Sequence, residues 1–224
     1  MRYARDERLA LCALLDEVGP AEPTLCEGWR TVDLAAHLVL RERRPDAAAG
    51  LLGGPLAGHT ARVQAHFARL PFAQLVDLIR TGPPRFSPLA IPGADERVNA
   101  VEFFVHHEDV RRAQPGWEPR ALPAGLQDAL WSRLPMARLT LRRAPVGVEL
   151  VRDDLAQPAG GSGSSGGSGG SVRITARART PVVTVTGAPA ELTMWAMGRA
   201  GAARVRLDGS TTDVSALADA GWRH

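Results

Sequence analysis

The period at which apolar residues repeat changes once along the chain, and this change most constrains the fold. Up to about residue 140 the period is helical, and the helical segments end at Pro or Gly, as at Gly19, Pro20 and Pro71. Beyond that point VGVELVRDD, SVRITAR and PVVTVTG alternate β-branched residues as strands do, and a helix, a short strand and a closing helix follow. The sequence therefore predicts an α+β two-domain protein, with a helix bundle over 1–141 and a small α+β domain over 142–224.

Residues 160–171, GGSGSSGGSGGS, interrupt the predicted second domain. Such a segment behaves as a flexible coil and cannot form a packed element. Because it falls between two predicted strands, we expect a long hairpin loop there rather than a linker between domains.

Composition narrows the functional class. The chain is 45% hydrophobic and 23% charged, which is ordinary for a soluble globular protein. No apolar run is long enough to span a bilayer, and the acidic, helical N-terminal segment does not have the pattern of a signal peptide. We therefore expect a cytoplasmic protein.

Every basic residue is an arginine, and the net charge is +3. The absence of lysine excludes Schiff-base and lysine-nucleophile chemistry. The arginines occur in short groups, which we interpret as solvated faces rather than a nucleic-acid surface. These groups are Arg41, Arg43 and Arg44; Arg111 and Arg112; and Arg142 and Arg143. The expected partner is a small molecule, with no nucleic acid and no membrane.

Of the two cysteines, Cys12 lies among leucines and is expected in the core. Cys26 precedes a predicted helix that starts after an N-cap at Thr31 and ends before Pro45. A thiol at that place can have a lowered pKa, but a buried turn residue is the favoured interpretation.

The stretch NAVEFFVHHEDVRRA (99–113) places a row of ionisable side chains on an otherwise apolar predicted helix, 94–114. Glu102 and His106 are four residues apart, so they share one face and can reach one ion, and Asp109 can orient His106 by accepting its other N–H. His37, on the apolar side of its own helix, is the third candidate ligand, because facing helices of a bundle converge inside it. Two His and one Glu leave positions open, as in a catalytic divalent metal site, and zinc is the first choice among several ions.

Other interpretations of these residues remain open. Glu102 and His106 can be a plain helical ion pair. His107, about 100° further round the helix, can replace His106 as ligand or support the site from behind a ligand. His59 and His66 share a helix face that is more typical of solvent exposure than of a binding site. A further helix is predicted over 122–141, interrupted at Pro135. The sequence contains no nucleophile elbow, phosphate loop or CxxC.

Three segments together resemble a known family. LCEGWRTVDLAAHL (25–38) and VEFFVHHEDV (101–110) resemble two motifs of the mycothiol-dependent maleylpyruvate isomerase family, whose DinB-like four-helix bundles bind a metal. TPVVTVTGAPAELTMWAMGR (180–199) is similar to that family's sterol-carrier-like C-terminal domain. The likeness spans nearly the whole chain and is greatest to a subgroup described only as metal-binding.

The resemblance implies that His37, Glu102 and His106 are the metal ligands. It also implies a mycothiol cosubstrate and a transferase or isomerase reaction on a small electrophile. Arg199 is the candidate for an arginine that faces the site in the family, where it would hold a carboxylate as a bidentate partner. The alternative for Arg199 is a cation that stabilises the C-terminus of its own helix. The alternatives are a metal-binding protein without catalysis and a small-molecule-binding protein.

Overall fold

The computed structural model describes residues 3–51, 53–84, 94–155 and 172–220. The described chain is α+β, as predicted, with many helices and one small sheet. Contacts between residues divide it into two compact units, 1–120 and 121–224.

The described residues of the first unit form helices joined by loops, and no strand. Its helices are α1 (Tyr3–Val18), α2 (Thr31–Arg43), α3 (Pro45–Ala48), α4 (Ala57–Phe67), α5 (Phe72–Thr81) and α6 (Ala94–Arg111). The predicted breaks at Gly19, Pro45 and Pro71 all separate helices here. Proline disfavours helical backbone in the residue before it and lacks the amide proton that an interior turn needs.

An apolar core holds this unit together. Helix α1 packs against α5 and α6, and α2 packs against α4 and α5. Leu11, Leu15, Leu34, Leu38 and Phe103 are all at most 1% exposed in this core. Full burial of one such side chain contributes about 1.5 to 3 kcal/mol. Cys12 is also fully buried here, as expected, and neither Cys12 nor Cys26 forms a disulfide.

The start of α2 differs from the prediction by one residue. Thr31 is already helical and donates from its hydroxyl to Gly19 O at 2.6 Å, so it joins α2 to the end of α1 instead of capping. The N-cap is Arg30, whose N–H donates to the Asp33 carboxylate at 3.0 Å. The Asp33 carboxylate therefore satisfies the amide of the N-cap residue, whereas a Thr31 N-cap hydroxyl would have accepted from amides inside the first turn.

The second unit contains a four-stranded sheet with helices beside it. Its elements are α7 (Ala124–Arg133), α8 (Ala137–Thr140), β1 (Gly147–Arg152), β2 (Arg173–Arg177), β3 (Val182–Gly187), α9 (Pro189–Ala196), β4 (Arg206–Asp208) and α10 (Thr211–Asp219), with 3-10 turns around α8 and after α9. The strand order is β2-β1-β3-β4; β1 runs parallel to β3, and the other two pairs are antiparallel. The predicted strands and helices of this region are confirmed.

Helix α7 is grouped with the sheet because polar and apolar contacts tie it there. The Gln127 side chain accepts from Ala190 N–H at the start of α9 at 2.9 Å, and Asp128 pairs with Arg152 of β1 at 2.8 Å. The interruption predicted at Pro135 is present as a 3-10 turn between α7 and α8. The domain boundary at 141 stays a prediction.

Strands β1 and β2 pair directly, as the hairpin interpretation requires. The Gly/Ser segment 160–171 that joins them lies outside the described residues. Within the described part of the chain, no helix is both long enough and apolar enough to cross a membrane.

Candidate metal site

Helix α6 carries ionisable groups on more than one of its sides while apolar residues anchor it. Phe103, Phe104 and Val110 are fully buried. Because successive residues are about 100° apart on a helix, Glu102, His106 and Asp109 lie on one side of α6, and His107 and Glu108 lie on another. These five polar side chains therefore belong to two separate clusters.

The three ligands predicted from the sequence lie together in the first cluster. Glu102 Oε1 is 3.5 Å from His37 Nε2 and 3.1 Å from His106 Nε2. One ligand atom from each residue lies within 4.8 Å of the other two. Ligand atoms about 2.0 to 2.1 Å from a tetrahedral zinc ion are about 3.3 Å apart, so these side chains fit such an ion with small adjustments.

His37 is poorly satisfied by the protein alone. Its side chain is only 12% exposed, and its buried Nδ1 has no hydrogen-bond partner among the described residues. Its Nε2 contact to Glu102 at 3.5 Å is long for a hydrogen bond. Burial lowers the pKa of His37, and the positive charges of His106 and Arg41 lower it further. Glu102 raises this pKa, but the lowering effects are larger. The ring is therefore neutral at pH 7, which is the form that coordinates a metal.

His106 lies between two carboxylates. Its Nε2 faces Glu102, and its Nδ1 is 2.9 Å from Oδ2 of the fully buried Asp109. Burial lowers the pKa of His106, but hydrogen bonds to Asp109, Cys26 and Glu102 outweigh it and hold this pKa well above the ordinary value. The ring is therefore protonated and positively charged in the ion-free protein. A bound cation would take the place of one of its protons.

Glu102 is ionised at neutral pH. Burial raises its pKa, but hydrogen bonds from His106 and His37 and the charge of Arg41 hold this pKa well below the ordinary value. Arg41 Nε is 3.3 Å from Glu102 Oε1, and the Arg41 guanidinium also donates to the Asn99 side chain. The interpretation of Arg41 as part of a solvated face is wrong, because its side chain is 17% exposed and faces this cluster.

Cys26 joins the same cluster, which the sequence did not predict. Its Sγ is 3.3 Å from Asp109 Oδ2, and Cys26, His106 and Asp109 form a second group whose ligand atoms all lie within 4.8 Å of one another. The only signal in the sequence is a cysteine placed shortly before the helix that carries His37. The favoured interpretation of Cys26 as a buried turn residue does not include this contact.

His107 lies in the other cluster. Its Nδ1 is 2.8 Å from a Glu7 carboxylate oxygen, and Glu7 also accepts two hydrogen bonds from Arg120. His107 is in neither group of candidate metal ligands among the described residues. Of the two neighbouring histidines, the geometry brings His106 to His37 and Glu102. A supporting role for His107 stays a prediction, as does the orienting role of Asp109.

Three other candidate residues have contacts of their own. Arg199 belongs to the second unit, where its guanidinium donates to Met197 O at 2.5 Å, and its proposed anion-binding role stays a prediction. His66 is exposed and contacts Phe67, and His59 pairs with Asp46 at 2.9 Å on the surface. Neither belongs to a group of candidate ligands in the described part of the chain.

Fold and site together define an α+β protein whose helical unit brings two histidines and a glutamate around one point. Two solved structures share this fold: the mycothiol-dependent maleylpyruvate isomerase, at a TM-score of 0.59, and a histidine-to-alanine mutant of it, at 0.57. Each is 18% identical to this chain, and each match covers 92% of this chain and 90% of the other. The α+β fold that the sequence resemblance implies is thereby confirmed, and its division into two domains stays a prediction.

Searches by sequence give no further relative. No family model matches the chain, and no curated protein matches it.

Proposed function

We propose that the chain binds a divalent metal ion, with zinc as first choice, through His37, Glu102 and His106. The observation that carries the proposal is the state of His37: a nearly buried, neutral imidazole that has no good hydrogen bond and faces a carboxylate and a second imidazole. A buried polar group left in this way calls for an explanation, and an ion is a common one. Three protein ligands of the types N, N and O leave coordination positions for a small molecule.

We further propose that the protein is an enzyme that uses a thiol cosubstrate, mycothiol, and acts on a small electrophile by isomerisation or transfer. The fold shared with the mycothiol-dependent maleylpyruvate isomerase supports this choice. A divalent cation held by these residues would supply thiolate at neutral pH, because coordination of sulfur favours its deprotonated form.

The protein's own residues have positioning roles in this proposal. Arg41, whose guanidinium also donates to Asn99, holds the Glu102 carboxylate from one side, and Asp109 fixes the His106 ring by accepting from its Nδ1. Such contacts behind the ligands fix ring orientation, and their loss costs about 10- to 100-fold in metal affinity or activity. Arg199 is the candidate for binding a substrate carboxylate.

The first experiment measures metal content. Wild-type protein, dialysed against ion-free buffer, is expected to retain about one divalent ion per chain by elemental analysis. His37→Ala is expected to lose most of it, because two ligands on one helix hold an ion weakly. The matched control is His66→Ala, which removes an exposed imidazole from the same unit and leaves the content unchanged. A wild-type protein without retained ion would show that the cluster is only an ion-pair network.

The second experiment measures turnover. Wild-type protein loaded with zinc is expected to consume mycothiol with at least one member of a panel of electrophiles, and His37→Ala is expected to show none of this activity. His66→Ala should match the wild type, and other thiols replace mycothiol as controls. If the loaded wild type consumes no thiol with any acceptor, the protein binds metal without catalysis.

A binding role without catalysis has one observation in its favour. The second unit contains an apolar cavity of about 270 Å³, bordered by α9, β4 and α10 and lined in part by Trp195, Val205, Leu207 and Leu217. An apolar cavity is typical of small-molecule binding sites. Thiol consumption by the loaded enzyme decides between the two functions.

A further inference from the structure

A second set of ligand atoms adjoins the first across the His106 ring. Oδ2 of Asp109 lies 3.3 Å from Cys26 Sγ and 2.9 Å from His106 Nδ1. Sulfur, imidazole nitrogen and carboxylate oxygen are the donor types that zinc and related ions accept in proteins. Ligand atoms around one such ion lie at separations close to these.

The backbone fixes Cys26 in this position. Leu25 N–H donates to Asp109 O at 3.0 Å, which ties the loop to α6. Cys26 N–H donates to Thr24 Oγ1 at 3.2 Å, and Cys26 O accepts from Trp29 N–H at 2.9 Å. The thiol is therefore held beside Asp109 by bonds on both sides of its residue, as a preorganised ligand would be.

The two sets use different nitrogens of His106. Nε2 faces Glu102, whereas Nδ1 faces Asp109. An ion on the Nδ1 side therefore needs neither His37 nor Glu102. We propose that Cys26, His106 and Asp109 form a second binding site for a thiophilic divalent cation, which shares only His106 with the first. On binding, Cys26 Sγ and His106 Nδ1 each bond to the ion, and their protons are released to solvent.

The second ion binds more weakly than the first. When Nε2 already coordinates an ion, occupation of Nδ1 requires the ring to give up its remaining proton and to bridge the two ions. Asp109 must also exchange its hydrogen bond to the ring for the new ion. We expect the site without sulfur to fill first, because a thiol must lose its proton to bind an ion whereas a carboxylate does not, and the site with Cys26 to fill in excess metal.

Titration of the metal-free, full-length protein with Co²⁺ tests the proposal, because a cobalt–thiolate bond adds a charge-transfer absorption that nitrogen and oxygen ligands do not give. In the wild type we expect this absorption only after the first equivalent. Cys26→Ser should lose it, and Cys12→Ser, which removes the other thiol, should keep it. His37→Ala should keep it too, so this result does not depend on the first site. Glu102→Gln serves the same purpose if His37→Ala does not fold by circular dichroism.

Two results would overturn the proposal. One is the absence of thiolate absorption in the wild type at any Co²⁺ excess. The other is absorption that rises with the first equivalent and disappears in both His37→Ala and Glu102→Gln, which would make Cys26 a ligand of the first ion. Failure of the proposed function has a different signature, since it removes the retained ion from wild-type protein without abolishing the absorption in excess Co²⁺.

Discussion

Glu42→Ala is expected to lower the free energy of unfolding by about 3 to 5 kcal/mol, because it leaves a buried charge without its partner. Glu42 and Arg8 meet through two contacts, at 2.8 and 2.7 Å, and their side chains are only 1% and 5% exposed. The Arg8 guanidinium also donates to Ile79 O at 3.0 Å and lies over the Phe103 ring. It cannot leave for solvent without loss of these contacts.

Urea unfolding followed by far-UV circular dichroism measures this change as a lower midpoint at constant slope. Asp16→Asn is the control, since it breaks the exposed Arg80–Asp16 pair of the same unit and should cost less than about 1 kcal/mol. The double variant Arg8→Met with Glu42→Leu should recover most of the loss, because apolar residues of similar volume often replace a buried pair without cost. A double variant as unstable as Glu42→Ala would show that packing, not charge, is lost.

Local geometry explains why part of the site was predictable from sequence. Glu102 and His106 share a face because residues four apart do so in any helix, whatever the rest of the chain does. His37 was found by its place among apolar neighbours of its own helix, which a bundle turns inward. The distances of Glu102 Oε1 to both imidazoles agree with this reasoning.

The missed residues depend on contacts between distant segments. Cys26 reaches Asp109 because a loop amide, that of Leu25, bonds to the end of α6, and no periodicity encodes this pairing. Arg41 follows His37 by one helical turn, so its position was derivable, but its partner Glu102 is on another helix. From the sequence alone, a charged residue on a helix such as Arg41 is expected to be exposed to solvent, although Arg41 belongs to the site.

The same limit applies to His107, whose neighbour in sequence is a candidate ligand. It bonds to Glu7, which lies 100 positions away. Sequence spacing gives the direction in which the His107 side chain points from α6, but not which residue of α1 lies there. The elements of the second unit, in contrast, followed from β-branched alternation, because each strand's pattern is set by its own buried face.

Glu108→Gln is expected to lower the free energy of unfolding by about 3 to 5 kcal/mol at pH 7 and by much less in acid. The Glu108 side chain is 1% exposed and accepts from Arg112 and Arg120, both at 2.6 Å, and from Arg111 at 3.2 Å. With an amide in this place, Arg111 and Arg112 lose Glu108 as a negative partner and repel Arg120, which keeps its contacts to Glu7. The arginines of this cluster are structural, so the interpretation of Arg112 as part of a solvated face is wrong.

The pH dependence has a definite sign. Burial raises the pKa of Glu108, but the hydrogen bond from Arg112 and the charges of Arg120, Arg112 and Arg111 hold it below the ordinary value of 4.5. A carboxyl group whose pKa is lower in the folded state stabilises the protein fully above its unfolded value, and this contribution is lost as the pH falls through the folded value. The difference between wild type and Glu108→Gln should therefore be constant above pH 4.5 and shrink below it.

Urea unfolding at a series of pH values measures this difference directly, on metal-free protein so that the titration of the neighbouring site is the same in both chains. Glu118→Gln is the matched control, because Glu118 is an exposed glutamate of the same unit, and its effect should stay within about 0.5 kcal/mol at every pH. A loss in Glu108→Gln that persists undiminished in acid would contradict the charge argument. It would mean that the amide fails to fit the geometry of the arginine cluster, whatever the charge.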